Sequence, residues 1–100
     1  MPDAVLTPTG ARIRLTDERW AHILDGHGEL AGRRVEVLET VERPERIVSG
    51  RVGELLAIRE YEPGKSIVVV YRELGDDGFV ITAFLTSRIS PLQRRRQVWP

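Results

Sequence analysis

Hydrophobic positions recur with two different periods along the chain, and the change between them falls near Pro44. Before Pro44 the apolar residues repeat every three to four positions, which is typical of helices, and after it they alternate, which is typical of strands. This order predicts an α+β fold in which two N-terminal helices pack on a roughly four-stranded antiparallel sheet.

The first predicted helix runs from about Asp17 to Asp25. Thr16 precedes it as an N-cap, and its apolar face carries Trp20, Ile23 and Leu24. Gly26 and Gly28 are the expected stops.

The second predicted helix runs from about Arg33 to Glu42 and is closed by Pro44. Its inward positions are expected to be Val35, Leu38 and Val41. Its outward positions are expected to be Arg34, Glu36 and Glu39.

The alternating half predicts strands at Arg46–Ser49, Glu54–Tyr61, Ser66–Glu73 and Phe79–Thr86. Turn residues separate them, and links this short join antiparallel neighbours. If Leu74 and Phe79 flank a four-residue turn, Tyr71 lies opposite Thr82 and Arg72 opposite Ile81. Residues 1–10 are expected to be an extended N-terminal segment. Within residues 4–15, Ala4–Leu6 and the alternating Ala11–Leu15 flank a Thr-Pro-Thr-Gly turn, which predicts either a short hairpin or a single edge strand. The final Gln97–Trp99 either adds an edge strand or packs as a tail.

Length and composition predict a single domain over residues 1–100. The chain is 41% hydrophobic and 30% charged, values typical of globular proteins. It has no cysteine, which excludes disulfides, a thiolate nucleophile and a cysteine-type zinc site. The start lacks the features of a signal peptide and no stretch is apolar enough to span a bilayer, so we expect no membrane association and a cytoplasmic location.

Charge is balanced overall, with 15 basic and 15 acidic residues, but it is unevenly distributed. From Gly78 onward there are four arginines and no acids. Residues 87–100 therefore form a basic C-terminal tail in which Arg94, Arg95 and Arg96 accompany Trp99. Cations beside an aromatic ring suit single-stranded nucleic acid, although a frayed tail that only aids solubility explains the same pattern.

The two histidines are the main candidates for chemistry. The common phosphate-loop, serine-hydrolase and zinc-protease motifs are missing. His22 is expected between carboxylates on an exposed helix face, where a surface role is sufficient. His27, between two glycines at the helix end, is expected to face the sheet, and it is the better general acid or base unless it merely caps the helix. The spacing of His22, His27 and Glu29 matches no standard metal site, so neither a metal nor a cofactor is predicted.

Several residues of the predicted sheet could hold a phosphate. Thr82 offers a hydroxyl among apolar neighbours, although strand propensity alone explains a threonine there. The cations that could bind a phosphate are Arg59, Lys65, Arg72 and Arg88. For each of them, a solvated position on the surface is the alternative.

The order of several short motifs resembles a known family. They are Glu18-Arg19-Trp20 with His22-Ile23, His27-x-Glu29, Val70-Tyr71-Arg72-Glu73, Asp77-Gly78-Phe79, Thr82-Ala83-Phe84 and Arg96-x-x-Trp99. Together they resemble small prokaryotic proteins of the phage-type Barnase-EndoU-colicin E5/D-RelE-like nuclease fold. Such proteins often read His-Pro-Glu where this chain has His27-Gly28-Glu29.

The resemblance implies metal-independent endoribonuclease activity by transesterification of RNA phosphodiesters. It also allows the role of a toxin, whose partner is an antitoxin protein. It implies His27 or His22 as acid or base, Arg72 or Arg88 as phosphate clamp and Thr82 as a phosphate-contacting hydroxyl. The remaining substrate-binding candidates are Arg59, Lys65, Tyr71, Arg94, Arg95, Arg96 and Trp99. The competing hypothesis is a non-catalytic module of the same fold that binds RNA or a protein, since the neutral net charge argues against strong affinity for phosphate.

Overall fold

The computed structural model of the chain describes residues 3–100, and it divides into a short helical part and one large sheet. The helices are α1 (Asp17–Gly26), α2 (Arg34–Glu42) and α3 (Ser90–Gln93), with a 3-10 turn at Gly28–Leu30. The strands are β1 (Ala4–Leu6), β2 (Arg12–Arg14), β3 (Arg46–Ser49), β4 (Leu55–Glu62), β5 (Lys65–Leu74), β6 (Asp77–Thr86) and β7 (Gln97–Trp99). The α+β class is confirmed.

Helix α1 forms as its sequence predicts. The Thr16 side chain accepts a hydrogen bond from the Arg19 backbone N–H at 3.1 Å, which caps the first turn. Ile23 is buried, and Trp20 and Leu24 pack beside it against the core. The helix ends at Gly26, and the backbone N–H of His27 donates to the Ile23 carbonyl.

Helix α2 has the predicted bounds but presents a different face to the core. Val35 is 51% exposed, so its predicted inward position is wrong. Val37, Leu38, Thr40 and Val41 are the buried residues. Thr40 can be buried because its hydroxyl donates to the Glu36 carbonyl at 2.8 Å, which satisfies the polar group inside the helix.

The sheet is larger than predicted, and it is mixed rather than antiparallel. Seven strands lie in the order β1-β2-β6-β5-β4-β3-β7. Strands β3 to β6 are the four predicted ones, and the three additional strands, of three residues each, lie in segments for which a strand was one of two predicted alternatives. β2 pairs with β6 in parallel, so the prediction of a four-stranded antiparallel sheet is wrong.

The turn between β5 and β6 is tighter than predicted. Leu74 pairs with Asp77, which leaves only Gly75 and Asp76 in the loop. Gly75 has φ +71°, the positive value that two-residue hairpin loops require at this position. With an irregularity of the pairing between Val70 and Tyr71, this turn places Tyr71 opposite Val80 and Arg72 opposite Phe79. The predicted partners Thr82 and Ile81 are therefore wrong.

The first and the last strand of residues 3–100 both belong to the sheet. Residues 4–6 of the predicted extended segment form a hairpin with β2, while Met1 and Pro2 lie outside the described residues. The predicted C-terminal tail contains α3 and the edge strand β7, which pairs with β3. Of the two alternatives for Gln97–Trp99, the edge strand is confirmed.

The sheet separates two apolar clusters of different size. On the inner face, α1, α2 and the 3-10 turn cover a large core that includes Ile13, Val69 and Tyr71. The opposite, outer face has a smaller cluster of Val48, Leu56, Ile58 and Val68, covered by Ile89 and Leu92 at α3. No helix within residues 3–100 is long and apolar enough to cross a membrane.

Candidate active site

His27 lies where α1 gives way to the 3-10 turn, and its side chain faces strand β6. The centroid of its ring is 6.2 Å from that of Phe84. Its Nδ1 atom is 3.4 Å from Oε2 of Glu29, with 37% of the histidine side chain exposed. A carboxylate this close to one ring nitrogen can orient an imidazole, which leaves the other nitrogen for chemistry.

A cleft of about 270 Å³ adjoins this pair of residues. It opens between the 3-10 turn, the β4–β5 hairpin and the end of β6. Its walls are formed by Glu29, Tyr61, Lys65, Leu85, Thr86 and Ser87. Glu29 thus belongs both to the cleft wall and to the contact with His27, so the histidine stands at the margin of the cleft.

Two cations stand close to the cleft. Lys65 lines it directly, and its Nζ atom is 3.4 Å from Oε1 of Glu62. The guanidinium carbon of Arg33 lies 4.8 Å from the centre of the Tyr61 ring, a cation–π contact. Tyr61 therefore presents an aromatic surface at a site that also carries positive charge, a combination suited to a nucleotide.

Thr82 and Thr86 flank Phe84 along one side of β6. Thr82, Phe84 and Thr86 alternate along the outer side of the strand, since Thr82 pairs with Val70 and Phe84 with Val68. Thr82 is two residues from the phenyl ring that His27 contacts, a separation of about 7 Å along a strand. The Thr86 hydroxyl accepts a hydrogen bond from the Arg88 backbone N–H at 3.0 Å, which holds Arg88 just beyond the cleft wall.

His22 and Arg72 are not brought to this cleft. His22 is exposed on α1 and lines a separate hollow with Thr16, Glu18 and Arg19. Arg72 lies seven residues beyond Lys65 on β5, which is about 24 Å at the usual rise of a strand. Its guanidinium donates to the Val52 carbonyl at 3.2 Å.

The other predicted substrate-binding residues are dispersed over the molecule. Arg59 donates to the Arg43 carbonyl at 2.8 Å, at the end of α2. Tyr71 is 0% exposed, so its ring has no surface on which a base could stack. Trp99 packs against the inner core. Arg94, Arg95 and Arg96 lie between α3 and β7, the edge strand that four strands separate from the β1 and β2 edge beyond β6.

The sequence-based search for site residues missed Arg33, Tyr61, Thr86 and Ser87 and used Glu29 only in a metal hypothesis and a family motif. The contact between His27 and Glu29 could have been predicted, because Glu29 follows His27 by two residues at a helix end. Within residues 3–100 no group of three or more histidine, cysteine, aspartate or glutamate side chains could hold a metal ion.

The fold and the cleft together define an α+β domain with a histidine–carboxylate pair beside a cleft lined by one lysine and one tyrosine. No family model, no curated protein and no solved structure matches the chain.

Proposed function

We propose that this protein is a metal-independent endoribonuclease that cleaves RNA phosphodiesters by transesterification at the cleft beside His27. The observation that carries the proposal is the contact of His27 with Glu29, which itself lines the cleft together with Lys65 and Tyr61. This arrangement brings a general base, a cation and an aromatic surface to one site. It suits a substrate that has a base, a 2′-hydroxyl and a phosphate in close succession.

His27 acts as the base in the proposed reaction. Its imidazole takes the proton of the ribose 2′-hydroxyl, and the 2′-oxygen then attacks the adjacent phosphorus. The bond from phosphorus to the 5′-oxygen breaks, and that oxygen takes a proton from water. The products are a 2′,3′-cyclic phosphate and a free 5′-hydroxyl. Glu29 stabilises the imidazolium that forms, in the same way as a carboxylate supports a catalytic histidine elsewhere.

The phosphate and the base have separate binding groups. Lys65 neutralises the charge that grows on the phosphate oxygens, with Arg88 as the arginine closest in sequence to the cleft wall. The Tyr61 ring, with Arg33 against it, stacks on a base. Thr86, which lines the cleft, supplies a hydroxyl donor, whereas Thr82 lies on the outer side of β6 and does not line the cleft.

Purified protein incubated with total RNA in excess chelator tests the proposal. Wild type should cleave, His27→Ala should reduce the rate by 100-fold or more, in the range typical of a lost general base, and Glu29→Gln should reduce it less. His22→Ala is the matched control, because His22 lies in a different hollow, and it should cleave like wild type. Absence of cleavage by wild type over varied RNAs contradicts the proposal, and cleavage unchanged in His27→Ala contradicts the assigned base.

The second candidate function is a non-catalytic module that binds RNA or a protein. It is favoured because two of the predicted phosphate-binding arginines, Arg59 and Arg72, instead donate to backbone carbonyls of the protein. The chain also has no excess of positive charge. Binding of RNA that is retained without any cleavage, and that is unchanged by His27→Ala, would support this candidate.

The proposed activity suits a cytoplasmic toxin that an antitoxin protein holds inactive. Induced expression should then arrest growth of a bacterial host, and His27→Ala should abolish the arrest at equal protein levels. Equal arrest by both forms would contradict the toxin role.

A further inference from the structure

The outer face of the sheet is only half covered, and its uncovered half is apolar and basic. α3 covers β3, β4 and the middle of β5 through Ile89 and Leu92. Among residues 3–100, six large hydrophobic side chains are exposed, and three of them lie on the uncovered half: Leu6 (57%), Leu74 (61%) and Phe79 (40%). We define the outer patch as these three residues with Arg12, Arg14 and Arg72.

Strand pairing arranges the outer patch in two rows across β1, β2, β6 and β5. One row is Ala4, Arg14, Phe79 and Arg72, so the exposed Phe79 has an arginine on each neighbouring strand. The second row is Leu6, Arg12, Asp77 and Leu74. Buried Ile13 and Val80 point to the opposite, inner face.

The charge of the patch is positive. Its three arginines face one acid within the two rows, Asp77, whose carboxylate is 3.3 Å from the Arg14 guanidinium. Arg72 also donates to the Val52 carbonyl and interacts electrostatically with Glu54, so the three arginines still outnumber the nearby acids. Apolar anchors with arginine and without lysine are typical of protein interfaces.

We propose that the outer patch binds an acidic amphipathic helix of a partner protein. Four strands spaced by about 4.8 Å span about 14 Å, which matches roughly ten residues of helix. Apolar side chains of that helix cover Phe79 and Leu74, and its carboxylates pair with Arg14 and Arg72.

Two other occupants fit the surface less well. Leu6 and Leu74 have no aromatic face, so a single-stranded RNA would find only Phe79 for stacking. A second copy related by a two-fold axis would bring arginines against arginines, which is unfavourable. The proposal does not depend on ribonuclease activity, and His27→Ala should leave binding at the patch unchanged.

A displayed library of 14-residue peptides tests the proposal with the full chain. Each peptide has leucine at helical spacing and a random choice of aspartate, serine or lysine elsewhere. Selected binders should be rich in aspartate. Their affinity should fall at least tenfold in Phe79→Ser, in Leu74→Ser and in the double variant Arg14→Glu/Arg72→Glu. The control Arg19→Glu, exposed on α1, should bind like wild type, with circular dichroism checking that every variant is folded.

Three results would overturn the proposal. They are a library that gives no binder, selected binders that are rich in lysine, and binders whose affinity for the variants is unchanged. A uridine-rich oligonucleotide whose binding is lost in Phe79→Ser would assign the patch to RNA instead. Dimerisation in light scattering that Phe79→Ser abolishes would assign it to a second copy.

Discussion

Gly78 allows three strands to approach one another, and replacing it with alanine should destabilise the fold. Gly78 pairs with Glu73 of β5 and Ile13 of β2. A Cβ atom at this position would lie 2.1 Å from the Arg72 carbonyl oxygen and 2.8 Å from Cδ1 of Ile13. The first neighbour is backbone, so it can move only if β5 and β6 separate. Overpacking of a core usually costs about 1–3 kcal/mol, and a rigid neighbour puts Gly78→Ala near the upper value, about 3 kcal/mol.

The free energy of unfolding from urea titration, followed by circular dichroism, measures this effect. For a domain of this size about 3 kcal/mol corresponds to a drop in Tm of at least about 12 °C. Gly26→Ala is the matched control, because a Cβ there meets nothing within 4 Å and Gly26 ends a helix. It should leave stability unchanged or raise it by up to about 1 kcal/mol. If Gly78→Ala stays within about 0.5 kcal/mol of wild type, the close approach of β5 to β6 at Gly78 is wrong.

Two further predictions concern the cap of α1 and the buried tyrosine. Thr16→Ala should lower the free energy of unfolding by about 1 kcal/mol through loss of the N-cap, and Thr16→Ser should restore most of it in the same titration; equal losses in both variants would contradict a role of the hydroxyl. Burial raises the pKa of Tyr71 above its ordinary value of 10.0. The folded state therefore keeps a proton that the unfolded state loses, and stability should fall as the pH rises above about 10. Tyr71→Phe should weaken this alkaline decline, as measured by urea titrations between pH 8 and 11; an unchanged decline in Tyr71→Phe would contradict the assignment.

The periodic parts of the fold could be predicted from the sequence. Thr16 before an acidic first turn located the start of α1, and alternation located the four strands between Arg46 and Thr86 within two residues. The short strands β1, β2 and β7 were predicted only as one of two alternatives each, a hairpin at residues 4–15 and an edge strand at Gln97–Trp99, because three residues are too few to show a clear period. The parallel pairing of β2 with β6 joins distant parts of the chain, so no local pattern specifies it.

The candidate site was predicted only in part. Residues of one sheet can lie on opposite faces of it or at opposite ends of its strands, and the sequence does not show which of them come together. His27 was correctly expected to face the sheet, since its position at a helix end is a local property. Arg72 was expected to join it, but strand alternation points Arg72 to the outer face, far along β5 from Lys65. The tight turn at Gly75 changed which residues lie opposite one another. Tyr61 lines the cleft because the β4–β5 hairpin places it beside Lys65 and the end of β6. The residues next to Tyr61 in the sequence do not indicate this position.

The chemical ends of the RNA fragments test the central claim most directly. Mapping of the cleaved total RNA first identifies a sequence that the protein cuts. A defined oligoribonucleotide of this sequence is then incubated with wild type and with His27→Ala in excess chelator, and the masses of the products are measured by mass spectrometry. Transesterification with His27 as base predicts 2′,3′-cyclic phosphate and 5′-hydroxyl ends that form without metal and disappear in His27→Ala. Fragments with 3′-hydroxyl and 5′-phosphate ends, or cyclic phosphates formed equally by His27→Ala, would contradict the proposed chemistry of the cleft.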